Sequence, residues 1–104
     1  MIQVTAEYDT EKRLRGFDVR NHGLPVVCSA VSLLVQNTIN CIEKLTDDPM
    51  AHEYNESEAL IAFELFGPPG HDTELLLDAM MIGLCSVQEA YPKEIAIIEK
   101  EVKP

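Results

Sequence analysis

The residues with the most chemical potential in this sequence are His22 and Cys28, which lie in the segment Asn21-His22-Gly23-Leu24-Pro25-Val26-Val27-Cys28-Ser29-Ala30-Val31-Ser32. A cysteine attacks as its thiolate, and an unperturbed cysteine is mostly thiol at neutral pH. Two features of the segment favour the anion. Pro25 suits the first turn of a helix, which places Cys28 near a helix N-terminus, where aligned peptide dipoles stabilise negative charge. A neighbouring imidazole can take the thiol proton and leave an ion pair. Backbone N–H groups of the same first turn offer donors for the oxyanion of a tetrahedral intermediate. The alternative reading of Cys28 is a small buried hydrophobe with no chemical task, the commonest use of a free cysteine. Residue types and spacing alone leave both readings open.

The surrounding elements must bring these residues together. Ile2, Val4, Ala6 and Tyr8 alternate with polar residues, the period of a strand with one buried face. Asp9-Thr10-Glu11-Lys12 is a polar turn, and Leu14–Arg20 reads as the second strand of a hairpin, with Gly16 marking a bulge. The period then changes. Val27, Val31, Leu34, Thr38, Cys41/Ile42 and Leu45 follow helical spacing, so a helix begins at Pro25, leaves Leu24 outside, and ends before Asp47-Asp48-Pro49. Residues 50–54 form a short third strand, and 60–66, apolar on both faces, an interior fourth. Gly67-Pro68-Pro69-Gly70 is a turn; it lacks the Lys-Ser/Thr of a phosphate-binding loop. Asp72 or Thr73 caps a second helix that runs to about residue 91, stopped by Pro92. That helix has little polar face, so it needs cover on two sides, one of them a second subunit. Residues 95–98 make the last strand. The order ββαββαβ predicts an α/β fold: a two-layer sandwich with two helices packed on one mixed sheet, in a single domain over residues 1–104.

Composition narrows the partners. Eight basic against 18 acidic residues give a net charge of −10. Such a chain is a poor match for nucleic-acid phosphates or anionic lipid and a good one for a basic peptide. The longest nearly apolar stretch, residues 24–35, is too short to span a bilayer, and the N-terminus has no signal-peptide core. Three cysteines do not suit a disulfide scaffold. Cys28 and Cys41, on one helix, would lie roughly 20 Å apart, beyond any disulfide. Free thiols point to a reducing cytoplasm. Cys41 and Cys85 sit in apolar helical runs and read as core residues, and Met80 and Met81 as core or a dimer face. His52 and His71 read as solvated. No ligand spacing implies a metal or cofactor.

The segment that holds His22 and Cys28 resembles the ribosomal-processing cysteine protease (Prp) family. That family carries a Gly-His-Ala-type motif after its second strand, then a loop, then a helix opening on a Cys-Ala-Ala-Val-Ser-type run. Here these are Asn21-His22-Gly23 and Cys28-Ser29-Ala30-Val31-Ser32, continued by Leu33-Leu34-Val35-Gln36-Asn37-Thr38. The resemblance implies a homodimeric cytoplasmic cysteine endopeptidase that removes the N-terminal extension of a large-subunit ribosomal protein during ribosome assembly. It implies Cys28 as nucleophile, His22 as general base and Ser32 as a supporting residue, without cofactor. This chain departs from the pattern in three places: Asn21 and Gly23 replace the usual Gly and Ala, the loop from His22 to Cys28 is short, and Pro25 stands where an acidic residue is often found. These departures motivate the alternative, a non-catalytic dimeric α/β module that binds a basic ribosomal protein or the ribosome.

Overall fold

The structure is a computed structural model, described here over residues 1–102. Seven elements follow in the order β1 (Ile2–Tyr8), β2 (Leu14–Arg20), α1 (Pro25–Leu45), β3 (Met50–Asn55), β4 (Leu60–Leu65), α2 (His71–Ala90) and β5 (Ile95–Glu101). The strands form one sheet in the order β3-β4-β2-β1-β5. Only β1 and β5 pair in parallel, so the sheet is mixed. The ββαββαβ order and the two-layer architecture are those expected from the sequence.

Alternation decides which face is covered. Ile2, Val4 and Ala6 of β1, Phe17 and Val19 of β2, and Ile61, Phe63 and Leu65 of β4 are buried. They meet Val27, Val31, Val35, Ile39 and Ile42 of α1 and Leu77, Met80, Met81 and Leu84 of α2 in one core. The α1 residues recur every three or four positions, the spacing that keeps a stripe on one side of a helix. Phe17 and Phe63 face each other across β2 and β4 with ring centroids 5.2 Å apart, stacked at 21°. The interior position expected for β4 is observed, between β3 and β2.

The β1–β2 register shifts where Glu7 opposes Gly16 and Tyr8 opposes Leu14, leaving Arg15 as the extra residue of a bulge. Gly16 next to it is needed for close approach: a Cβ there would lie 2.8 Å from the Phe63 carbonyl oxygen. Asp9 closes the hairpin. Its carboxylate accepts the N–H groups of Glu11 and Arg13 and pairs with the Arg13 guanidinium at 3.0 Å.

Three expectations are corrected. The second helix starts at His71 with Gly70 at its N-cap and no side-chain cap, so neither Asp72 nor Thr73 caps it. The reason lies elsewhere in the chain: the Asp48 carboxylate, beyond the end of α1, accepts the Gly70 N–H at 2.7 Å, and Thr73 turns inward to donate to Thr46 Oγ at 3.2 Å. Cys85 is exposed, not a core residue, because α2 buries the side marked by Leu77, Met81 and Leu84. The last strand runs to Glu101, three residues further than its apolar run, because β1 supplies ladder partners as far as Tyr8. Helix α1 is also longer than the apolar stretch inside it, and by length and composition (mean hydropathy 1.4) it could cross a bilayer. Its stripe from Val27 to Ile42 is packed in the core.

Candidate active site

Strand β2 ends at Arg20, and α1 begins five residues later. The short connection is shaped by backbone conformation. Asn21 has φ 72°, in the left-handed region, which asparagine tolerates better than most non-glycine residues. Leu24 is the N-cap residue, extended at φ −58° and ψ 142°, and Pro25 follows in the first turn, as the sequence predicts. The Leu24 carbonyl accepts the N–H groups of Val27 at 3.0 Å and Cys28 at 2.9 Å. This corrects the expectation of a first turn with several free donors. Pro25 has no N–H and two others are engaged, so among the described residues Val26 alone keeps a first-turn N–H available to an oxyanion.

Cys28 is half-buried, on the first turn of α1. Its sulfur touches the Gly23 peptide: the Gly23 N–H donates to Sγ at 3.2 Å, and Sγ lies 3.5 Å from the Gly23 carbonyl oxygen, to which the thiol can donate. The peptide groups on either side of Gly23 thus offer the sulfur a donor and an acceptor. His22 is exposed and lines the same cavity of about 190 Å³ as Cys28 and Ser32. Ser32 is one helical turn past Cys28 and half-buried. The fold therefore brings all three sequence-predicted residues to one cavity. No hydrogen bond joins the His22 ring to the sulfur, whose partner is the Gly23 peptide. Catalytic hydrogen bonds are often formed only when substrate is bound, so this arrangement is compatible with a base that swings in.

The β3–β4 hairpin also contributes to the cavity. Tyr54, Glu56, Ala59 and Leu60 line it. Sequence reading missed these residues: Tyr54 alternates like any strand residue, and nothing in its neighbourhood signals that the β3–β4 hairpin shares a cavity with Cys28. A second residue missed is Glu94, just before β5, whose carboxylate accepts the Leu24 N–H at 2.8 Å across a separation of 70 residues. His52 and His71 are exposed, as expected. The His52 ring is 3.5 Å from the Glu43 carboxylate, and His71 is 3.2 Å from Asp72. A larger depression, of about 650 Å³, lies over strand residues including Gly16, Asp18, Ala62 and Glu64 and contains neither Cys28 nor His22.

With this geometry in view, comparison with known proteins is decisive at the level of family. Residues 1–96 match the family model described as cysteine protease Prp. The chain belongs to the cysteine protease Prp family. Its cysteine-peptidase class follows from that membership. The Prp fold is also seen in solved structures. The essential ribosomal processing protease Prp from S. aureus, in complex with a covalently linked product peptide, is 21% identical, with 96% of this chain and 100% of that one covered and a TM-score of 0.90. The same S. aureus protease with a substrate peptide gives 20% identity, the same coverage and a TM-score of 0.90. SMU.848 from Streptococcus mutans is 22% identical over 98% of this chain and 99% of that one, with a TM-score of 0.86. Comparison with curated proteins by sequence gives no match.

Proposed function

We propose that this Prp-family protein is a cysteine endopeptidase that trims the N-terminal extension of a large-subunit ribosomal protein, with Cys28 as nucleophile, His22 as general base and Ser32 supporting the site. The observation that carries this reading is the convergence of Cys28, His22 and Ser32 on one cavity in a chain of this family. In the reaction His22 takes the Cys28 proton, and the sulfur attacks the scissile carbonyl carbon. The resulting imidazolium protonates the leaving amine as the C–N bond breaks. Water, deprotonated by His22, then cleaves the thioester and restores the thiol. Before this, His22 must swing onto the sulfur, and the thiol must leave the Gly23 carbonyl.

A basic peptide suits the approach to the cavity. Glu53, Glu56 and Glu58 are exposed along the β3–β4 hairpin, and Glu56 lines the cavity itself. Opposite charge at the rim steers encounter and raises the on-rate. The S. aureus relatives were seen with peptides bound, one of them covalently, which agrees with a peptide substrate here. We assign the active unit as a homodimer in the cytoplasm. The support for the dimer is the helix residues Leu33, Leu75 and Ile82, which are 72%, 60% and 71% exposed.

The test is cleavage of a synthetic peptide that spans the N-terminal extension of the ribosomal protein from the same genome. Wild-type protein cuts it at one bond, Cys28→Ala abolishes cutting, and His22→Ala slows it by orders of magnitude. A peptide left intact by wild-type protein, yet still bound by Cys28→Ala, refutes the protease reading and favours a binding module.

A further inference from the structure

The link from His22 to Cys28 is pinned from a distant part of the chain. Leu24 N–H donates to Glu94 Oε1 at 2.8 Å. The Glu94 backbone is itself fixed twice: its N–H donates to the Tyr91 carbonyl at 3.0 Å, and its carbonyl accepts the Ile2 N–H at 2.8 Å. The carboxylate is therefore presented from a rigid corner between α2 and β5, where the first strand begins. It also packs closely on Gly23. A Cβ at Gly23 would sit 3.1 Å from Glu94 Oε1 and 3.3 Å from the Glu94 carbonyl oxygen. Gly23 thus lies between two partners: Glu94 packs on it and accepts the N–H of the following residue, and the Cys28 sulfur receives the N–H of Gly23 itself at 3.2 Å.

We propose that Glu94 is a positioning residue for Cys28: by accepting the Leu24 N–H and packing on Gly23, it fixes the loop so that the Gly23 N–H stays on the sulfur, and so keeps the thiol more reactive than a free loop would. The inference rests on the reading of Cys28 as the nucleophile. A donor fixed on a sulfur favours its anion, and only the anion attacks. The donor contact is strongest to the attacking anion, so weakening it by releasing the loop slows attack by about threefold.

The experiment is alkylation of the whole chain by iodoacetamide at neutral pH, followed residue by residue by mass spectrometry, with Cys41 and Cys85 as internal references. Glu94→Ala slows Cys28 about threefold or more and leaves the other two unchanged. Glu94→Gln, whose amide oxygen still accepts the Leu24 N–H, restores the wild-type rate. Leu24→Pro deletes the donor at a residue whose φ of −58° already suits proline, and reproduces the loss with Glu94 intact. The double variant is no slower than either single one. A Glu94→Ala rate equal to or above wild type, a Glu94→Gln variant as slow as Glu94→Ala, or additive losses would each overturn the proposal. Wild-type Cys28 no faster than Cys41 would instead defeat the nucleophile reading, and the latch with it; a fast wild type with unaffected variants removes the latch alone.

Discussion

Replacing Gly16 by alanine is a severe test of the sheet geometry, because the same substitution at Gly67 should have the opposite sign. At Gly16 the new Cβ would lie 2.8 Å from the Phe63 carbonyl oxygen and 3.5 Å from the Glu64 Cα. The first distance is well inside van der Waals contact, and the obstacle is backbone in the paired strand β4, which cannot rotate away. Overpacking of this kind costs about 1–3 kcal/mol, against a gain of roughly 0.4–1 kcal/mol from the stiffer unfolded chain, so the net loss is roughly 1–2 kcal/mol. At Gly67 the Cβ meets nothing within 4 Å, and its φ is not positive, so only the gain remains. Urea denaturation, read as the shift in midpoint at constant slope, should place the two variants on opposite sides of wild type and about 2 kcal/mol apart. Gly16 is at the far end of β2 from His22, so folded Gly16→Ala should keep the Cys28 alkylation rate of wild type. Two variants of equal stability would refute the close β2–β4 approach.

The left-handed φ at Asn21 predicts that Asn21→Gly changes stability by less than about 0.5 kcal/mol, while the β-branched Asn21→Val costs about 1–2 kcal/mol in the same urea assay. Acid unfolding follows two carboxyls. Asp9 is held below the usual 3.8 by the Arg13 N–H first, then by the Glu11 N–H and the Arg13 guanidinium, and Asp48 chiefly by the Gly70 N–H. As pH falls the unfolded chain takes up these protons first, so their stabilisation is complete above 3.8 and is lost as pH drops through that value toward the lower folded ones. Asp48→Asn should flatten the decline seen by circular dichroism; an unchanged acid profile would contradict the Asp48–Gly70 contact. Ile82→Glu should turn a micromolar dimer into a monomer by light scattering, and a monomeric wild type would remove the proposed homodimer.

Much of the fold was legible because its elements are amphipathic with clear periods. Val4 and Ala6 alternate, and Val27, Val31, Thr38 and Ile42 of the expected α1 stripe are buried, whereas Val35 and Ile39, which that stripe left out, are buried too and Leu45 at its end is exposed. His22 and Cys28 were legible for a different reason: the chain connects them directly, through a loop too short to separate them widely. What sequence could not give are contacts between distant segments. The α2 start shifts to His71 because an acceptor for Gly70 comes from Asp48 on another element, a bond no local pattern contains. Cys85 was misplaced because α2 is apolar nearly all round, so its periodicity does not say which side faces the sheet. Glu94 and Tyr54 reach the site only through tertiary pairing. The contact of the Gly23 peptide with the sulfur, in place of an imidazole, depends on loop conformation that residue types do not fix.

The central claim is that Cys28 is the nucleophile, and exposure gives it a sharp rival. Cys85 is the exposed cysteine, whereas Cys28 and Cys41 are both half-buried. If access alone governs reactivity, limiting iodoacetamide labels Cys85 first. The account predicts the reverse order: Cys28 is carbamidomethylated first, ahead of both other thiols, and His22→Ala removes that lead. Labelling led by Cys85, with Cys28 no faster than Cys41, would contradict it.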